Sequence, residues 1–230
     1  MLYAFQEWTD HHGAPCGWAV WQMVETEEQL RALCSPHAPP CAYTHEARRR
    51  EYYAVRALLA AVLGKEKTIA YLPSGHPYLT DHSYHISISH TKGFCALAWH
   101  AGHPVGVDIE MLSPRVSRVA HRFVSPAEQI LVENHFPQDV TRGQLLLWSA
   151  KEAAYKLVDR PATDFLRDII VDFSTLDLDT QTCRIRCRVD VPDGSTTQVS
   201  YPMHYRFFQN FVFVLVGVEQ ERMKENESHP

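Results

Sequence analysis

The sequence predicts an α+β fold, and three observations carry that prediction. Two stretches, His45 to Leu63 and Gln144 to Asp159, repeat apolar residues at helical spacing. Shorter runs alternate apolar and polar residues or are apolar throughout, among them His85 to His90, Phe94 to Trp99, Val105 to Glu110, Cys183 to Val189 and Phe211 to Val218. Tight turns such as Thr91-Lys92-Gly93 and Asp193-Gly194 join neighbouring runs, so the strands pair antiparallel. Each half of the chain offers a long helix followed by antiparallel strands. This is compatible with an old duplication, although the halves share no direct sequence repeat.

Composition narrows the class. The 230 residues suffice for one large or two small domains, and 45% hydrophobic with 21% charged residues is ordinary for a soluble protein. A net charge of −5 gives no electrostatic reason for a nucleic-acid partner. No apolar run approaches the ~20 residues that cross a bilayer. The first residues lack the basic start and apolar centre of a secretion signal, with Glu7 and Asp10 there instead, so a cytoplasmic protein is expected. Cys16, Cys34, Cys41, Cys95, Cys183 and Cys187 form no CxxC pair and read as reduced core residues. The fourteen histidines are scattered, and His11-His12 reads as a surface pair rather than a zinc ligand set.

Taken in order, a strand is predicted from Gly17 to Val24, then a short helix from Thr26 with Leu30 and Leu33 inward. The helix from His45 carries a stripe of Ala47, Tyr53 or Ala54, Ala57, Leu58, Ala61 and Val62, and Gly64 ends it. Arg48, Arg49, Arg50 and Arg56 decorate it. They are either a solvated face paired with Glu46 and Glu51 or a phosphate clamp, for which the planar guanidinium is suited. Pro73 to Leu79 reads as a turn entering an extended segment. In the strand from His85, Ile86 and Ile88 face a core while His85, Ser87 and Ser89 face away, and His90 ends it. Ser125-Pro126-Ala127-Glu128 is a capping box with proline at the first helical position, which gives Glu128 a structural task. Beyond the second long helix, Ile169 to Phe173 and Tyr201 to Phe207 add strands, and Met223 to Pro230 is a polar tail.

The stretch Val105-Gly106-Val107-Asp108-Ile109-Glu110 carries chemistry. As a strand it turns Val105, Val107 and Ile109 to one side and Gly106, Asp108 and Glu110 to the other. The two acids then stand roughly 6–7 Å apart, within reach of one divalent cation, and Gly106 leaves space beside them. The alternative is an edge strand with a solvated face. On the second long helix Leu146, Ala150, Ala153, Ala154 and Leu157 form the buried stripe, and Ser149, Glu152 and Lys156 lie on its flank. There Glu152 and Lys156 form either an i,i+4 ion pair or part of a site.

Three pieces together, Ser89-His90, Gly106-Val107-Asp108-Ile109-Glu110 and Trp148-Ser149-Ala150-Lys151-Glu152-Ala153-Ala154-Tyr155-Lys156, resemble the 4′-phosphopantetheinyl transferase superfamily. Its marks are a G-[IV]-D-[IV]-E strand and a W-[ST]-x-K-E-x-x-x-K helix some forty residues later; here Asp108 and Glu152 are 152 − 108 = 44 positions apart. The resemblance covers about Arg48 to Lys156. The length matches the larger, Sfp-like branch, which implies two similar α+β halves, 1–103 and 104–230, in a monomeric pseudo-dimer with the site between them.

The resemblance implies transfer of the phosphopantetheine arm of coenzyme A to a serine of an apo acyl or peptidyl carrier protein. Adenosine 3′,5′-bisphosphate leaves. Asp108, Glu110 and Glu152 would ligate Mg²⁺, or Mn²⁺, with the coenzyme A pyrophosphate. Glu152 would also accept the serine proton, directly or through a water on the metal. Lys156, helped by Lys151, would steady the pyrophosphate. Ser89, His90 and an arginine of the first long helix, with Arg49 favoured over Arg48 or Arg50, would contact the nucleotide phosphates. Gly75-His76-Pro77 stands where the family often has G-K-P, which implies weaker hold on the 3′-phosphate or a steeper pH dependence. Two other readings compete: a non-catalytic scaffold that binds coenzyme A or a carrier protein, and an unrelated Mg²⁺ phosphoryl-transfer enzyme. The first is disfavoured because all the acids and Lys156 are present, the second by the lack of a Walker-type loop.

Overall fold

Strands with apolar residues on both faces must be covered on both faces, and this demand sets the architecture. In a computed structural model that describes residues 1–191 and 193–219, β1 (Leu2–Thr9) and β2 (Pro15–Gln22) open the chain. Then come α1 (Glu27–Leu33), α2 (Glu46–Leu63), a small hairpin of β3 (Ile69–Tyr71) and β4 (Pro77–Leu79), and a hairpin of β5 (His85–Thr91) and β6 (Phe94–His100). The second half holds β7 (Gly106–Met111), two short 3-10 turns, α3 (Pro126–His135), α4 (Val140–Val158), β8 (Ile169–Asp177), β9 (Thr182–Asp190), β10 (Thr196–Phe207) and β11 (Phe211–Val216). One antiparallel sheet runs β1-β2-β6-β5 and the other β7-β11-β10-β9-β8. The polar tail at 223–230 lies outside the described residues.

Four layers result. Ala19, Trp21, Leu97 and Trp99 of the first sheet pack on Ala54, Leu58 and Leu59 of α2. On the opposite face Trp18, Val20, Ala96 and Ala98 meet Val107, Ile109, Phe213 and Leu215 of the second sheet. Val212, Val214 and Val216, on the far face of β11, pack against Leu146, Ala150 and Ala153 of α4. The expected boundary at 103/104 falls in the turn between β6 and β7, and the core between the sheets draws on both sides of it.

The order β2-β6-β5 in one sheet matches β7-β11-β10 in the other. In each, a strand is followed by a short helix opened by a capping box, Thr26 with Gln29 or Ser125 with Glu128, and then by a long helix.

The sequence reading departs from the structure in four local places. β1 was not anticipated: it is an edge strand whose exposed face carries the aromatic residues Tyr3 and Phe5, so its sequence shows no clean alternation. Leu33 points outward because the seven-residue α1 ends at Cys34, which takes the buried position instead. Ala47 and Ala61 are exposed, and the buried stripe of α2 is Ala54 to Leu59. α4 begins one turn earlier than expected, capped by Asp139, whose side chain accepts from the Arg142 amide. All six cysteines are free, and all but Cys41 are buried.

Candidate active site

β7 is an edge strand of its sheet, so one side of its backbone needs partners from elsewhere. The Val107 amide donates to Ser87 Oγ at 3.0 Å, and the Val107 carbonyl accepts from Lys156 Nζ at 3.1 Å. β5 and α4 are thus both fastened to the free edge of the strand. Gly106 lets α4 approach to backbone contact: a Cβ there would stand 1.9 Å from the Ala153 carbonyl oxygen. The space that the sequence reading left for a ligand is therefore filled by the helix itself.

That approach brings the second motif onto the first. Asp108 is buried, at 4% exposure, yet its carboxylate is well supported. Oδ1 accepts from Ser89 Oγ and from Lys156 Nζ, both at 2.8 Å, and Oδ2 accepts from Ser149 Oγ at 2.8 Å. Glu110 Oε1 accepts from Trp148 Nε1 at 2.9 Å. Lys156 pairs with Asp108 rather than with Glu152, so the i,i+4 ion pair considered from sequence is not the contact made. Among the described residues Glu152 accepts no side-chain hydrogen bond. Burial first, and then the Asp108 carboxylate, push its pKa up to about 7. Glu110 is raised by the same two causes.

Three acids therefore share one half-buried corner with a single ammonium. That imbalance suits a cation, and the hard oxygens suit Mg²⁺ or Mn²⁺. The three carboxylates do not bring one ligand atom each within 4.8 Å of one another, whereas Asp10, His100 and His103 do.

Two expected ligand-binding residues sit elsewhere. Lys151 is fully buried on the other flank of α4, and burial lowers its pKa. Its three protons go to the Phe123 carbonyl at 2.7 Å, the Phe165 carbonyl at 2.7 Å and Glu128 Oε2 at 2.9 Å. No donor remains for a pyrophosphate, so Lys151 ties α4 to α3 instead. Arg49 is held by both oxygens of Glu27, at 3.0 and 2.9 Å, and faces α1. Arg48 is the arginine that reaches the end of β5: its Nη1 lies 2.8 Å from His90 Nε2 and 3.0 Å from Glu51 Oε2. Arg50 donates to the carbonyls of Met23 and Glu25. Gly75, in the left-handed region at φ 88°, and His76 lie in the β3–β4 turn. Sequence reasoning missed Ser87 and Trp148 as partners of the acidic strand; their signal was a polar residue on a strand face and the tryptophan at the head of the helix motif.

The corner formed by Asp10, His100 and His103 is of another kind. His100 Nδ1 accepts from the amides of Gly102 at 2.9 Å and His103 at 3.2 Å, so it carries no proton. The proton is then on Nε2, which donates to Asp10 at 3.2 Å. A metal on Nε2 would displace that proton, so we read the corner as a turn anchor.

Comparison with known proteins agrees with the geometry. Residues 104–211 match the family model described as the 4′-phosphopantetheinyl transferase superfamily. A Synechocystis sp. protein that carries 4′-phosphopantetheinyl transferase as a provisional name is 28% identical over 127 residues, 52% of each chain. The match thus spans about half the length of that relative. The matched segment contains β7 and α4, whose acids, serine, tryptophan and lysine interlock as described. Over residues 104–211 the chain is thus similar to the 4′-phosphopantetheinyl transferase superfamily.

Proposed function

We propose that this protein is a Mg²⁺-dependent 4′-phosphopantetheinyl transferase acting on coenzyme A and an apo acyl or peptidyl carrier protein. One observation carries the reading: Glu152, an acid with a pKa near 7 and no side-chain partner among the described residues, stands beside two acids that are firmly held. A group poised near the working pH is suited to take a proton.

Asp108, Glu110 and Glu152 would hold the cation, and the bound cation supplies charge neutralisation at the pyrophosphate. The rest falls to the chain. Ser89, Ser149 and Lys156 fix Asp108, and Trp148 fixes Glu110. Glu152 accepts the proton of the carrier serine as its oxygen forms a bond to the β-phosphorus of coenzyme A. The P–O bond to the nucleotide breaks, and adenosine 3′,5′-bisphosphate departs with the bridging oxygen. Lys156 uses two protons on Val107 and Asp108, which leaves one for an oxygen of the pyrophosphate. In this reading residues 1–103 supply the nucleotide side through Arg48, Gly75, His76, Ser89 and His90, and residues 104–230 supply the acids. Both sheets come from one chain, and the proposed working form is a cytoplasmic monomer.

The partner side has its own support. Arg115, Arg118 and Arg122 are exposed and join no ion pair among the described residues. Arg122 follows His121 in the chain, and His121 lines a groove of about 460 Å³ together with Ala120, Val124, Ser125, Pro126, Gln129 and Leu166. An acidic, apolar helix on a carrier protein is complementary to that surface. The test is incubation with apo carriers, coenzyme A and Mg²⁺. A mass gain of one phosphopantetheine is expected, lost on chelation. Tight coenzyme A binding with no transfer to any carrier would favour the scaffold reading instead.

A further inference from the structure

Apart from the adjacent pair His103–Pro104, three serines carry every side-chain hydrogen bond between residues 1–103 and the later part of the chain among the described residues. Ser87 and Ser89 meet β7. The third, Ser74, sits at the tip of the β3–β4 turn and donates to Asp159 Oδ2 at 3.1 Å. His76 Nδ1 lies 4.0 Å from the same oxygen.

Asp159 is unusual in its own backbone. It ends α4 in the left-handed conformation, φ 43° and ψ 41°, a position where glycine is preferred because a Cβ costs energy there. Aspartate tolerates this conformation better than most residues. The helix end still retains a side chain that glycine would omit, and that side chain reaches across the chain to the turn. A locally costly residue thus stands where, among the described residues, its side chain ties α4 to this turn.

The turn itself is pre-shaped. The Leu72 amide donates to the His76 carbonyl at 2.9 Å, the Gly75 amide donates to the Leu72 carbonyl at 2.9 Å, and the His76 amide donates to Ser74 Oγ at 3.3 Å. Ser74 Oγ thus links the turn's own backbone to Asp159. Asp159 in turn lies three residues beyond Lys156, which touches Asp108. We propose that Asp159 is a positioning residue: its carboxylate clasps the 72–76 turn against the Lys156 end of the site and sets how firmly the nucleotide is held. This rests on the transferase reading above for its effect on coenzyme A, but not for the clasp.

Three variants test it, in the full chain. Asp159→Gly removes the clasp and relieves the left-handed backbone. Ser74→Ala removes only the donor. Asp159→Asn keeps an acceptor for Ser74 but drops the charge. Amide exchange at Leu72 and Gly75 is expected to quicken at least tenfold in Asp159→Gly and Ser74→Ala, while the melting temperature of Asp159→Gly stays level or rises. The calorimetric Kd for coenzyme A, and KM, should rise at least fivefold in both with kcat within twofold. Asp159→Asn should recover most of the affinity. Unchanged exchange in both variants would overturn the clasp whatever the enzyme does. Faster exchange with unchanged Kd would overturn the positioning role. A fall in kcat in step with a lower melting temperature would make Asp159 merely structural. Wild-type protein that transfers nothing but shows the exchange effect would count against the transferase reading alone.

Discussion

Two corners of this molecule each gather ionisable side chains, and they differ in what is left over. At Asp10, His100 and His103, hydrogen bonds close on one another: Asp10 Oδ1 accepts the amides of His12 and Ala14, Oδ2 accepts from His100, and His100 Nδ1 accepts two further amides. At Asp108, Glu110 and Glu152, two acids are held and the third is left without a side-chain partner, with negative charge in excess. Proximity of ligand-type atoms favours the first corner, whereas unsatisfied bonding capacity favours the second. The second criterion is the better guide to chemistry, because a group that is fully bonded has to lose those bonds before it can react.

The same contrast recurs within α4. Lys151 and Lys156 are five residues apart, and each pairs with a buried acid. Lys151 gives all three protons to the protein and is fully buried; Lys156 keeps one in reserve at 27% side-chain exposure. One lysine belongs to the fold and the other to the site.

The largest expected effect separates the corners by activity. Glu152→Gln should lower transfer about 10²–10⁴-fold, the usual range for a lost general base. Its stability should move the other way. The folded pKa of about 7 lies above the ~4.3 of an unfolded glutamate, so between these values the folded state binds more protons. Stability therefore falls as pH rises through this window, and the glutamine removes that loss. Because Glu152 is only half-buried, a gain on the order of 1 kcal/mol at pH 8 is expected, measured by denaturant unfolding. A variant that is both inactive and unstable would assign Glu152 to the fold and erase the distinction.

Next in size, Lys151→Met should break the closed pair. Glu128 would be left buried with its charge uncompensated, at a cost of about 3–5 kcal/mol, read from denaturant unfolding. Adding Glu128→Gln, which keeps an acceptor for the Ser125 amide, should recover part of the loss. If Lys151→Met is stable and instead weakens coenzyme A binding, Lys151 serves the ligand after all and both lysines of α4 belong to the site.

These pairs also mark how far the sequence could be read. The acidic strand, both long helices, the Ser125–Glu128 capping box and the serine of β5 are local patterns, fixed by periodicity or by neighbours within a few positions. Which lysine serves the site is not local. Lys151 and Glu152 are adjacent in sequence and about 100° apart around the helix axis, so one faces α3 and the other β7. Arg48 and Arg49 are separated in the same way, and only packing shows that Arg49 turns to Glu27 and Arg48 to His90. The histidine corner was invisible for a further reason: Asp10 and His100 are ninety residues apart and meet only because β2 pairs with β6.

The smallest effect concerns that corner. Burial first, and then the neighbouring His103, lower the pKa of His100 below that of a free histidine. Around it stand Asp10, which draws the pKa upward, and His103 and His85, which draw it downward. The unfolded chain binds a proton at His100 below about pH 6.5, before the folded state does, so stability falls as pH drops from there. One such group contributes a slope of at most about 1.4 kcal/mol per pH unit. His100→Gln keeps a donor for Asp10 and loses the acceptor for the Gly102 and His103 amides, so it should be weaker at neutral pH by about 1–2 kcal/mol. It should also show a shallower decline between pH 7 and pH 5, with the remainder set by His85 and His204, which burial also lowers. Added Zn²⁺ should not raise the melting temperature of the wild-type corner beyond that of His100→Gln. A zinc-dependent rise seen only with His100 present would show that the two corners are more alike than their hydrogen bonds imply, because a metal would then have displaced a proton that the backbone holds in place.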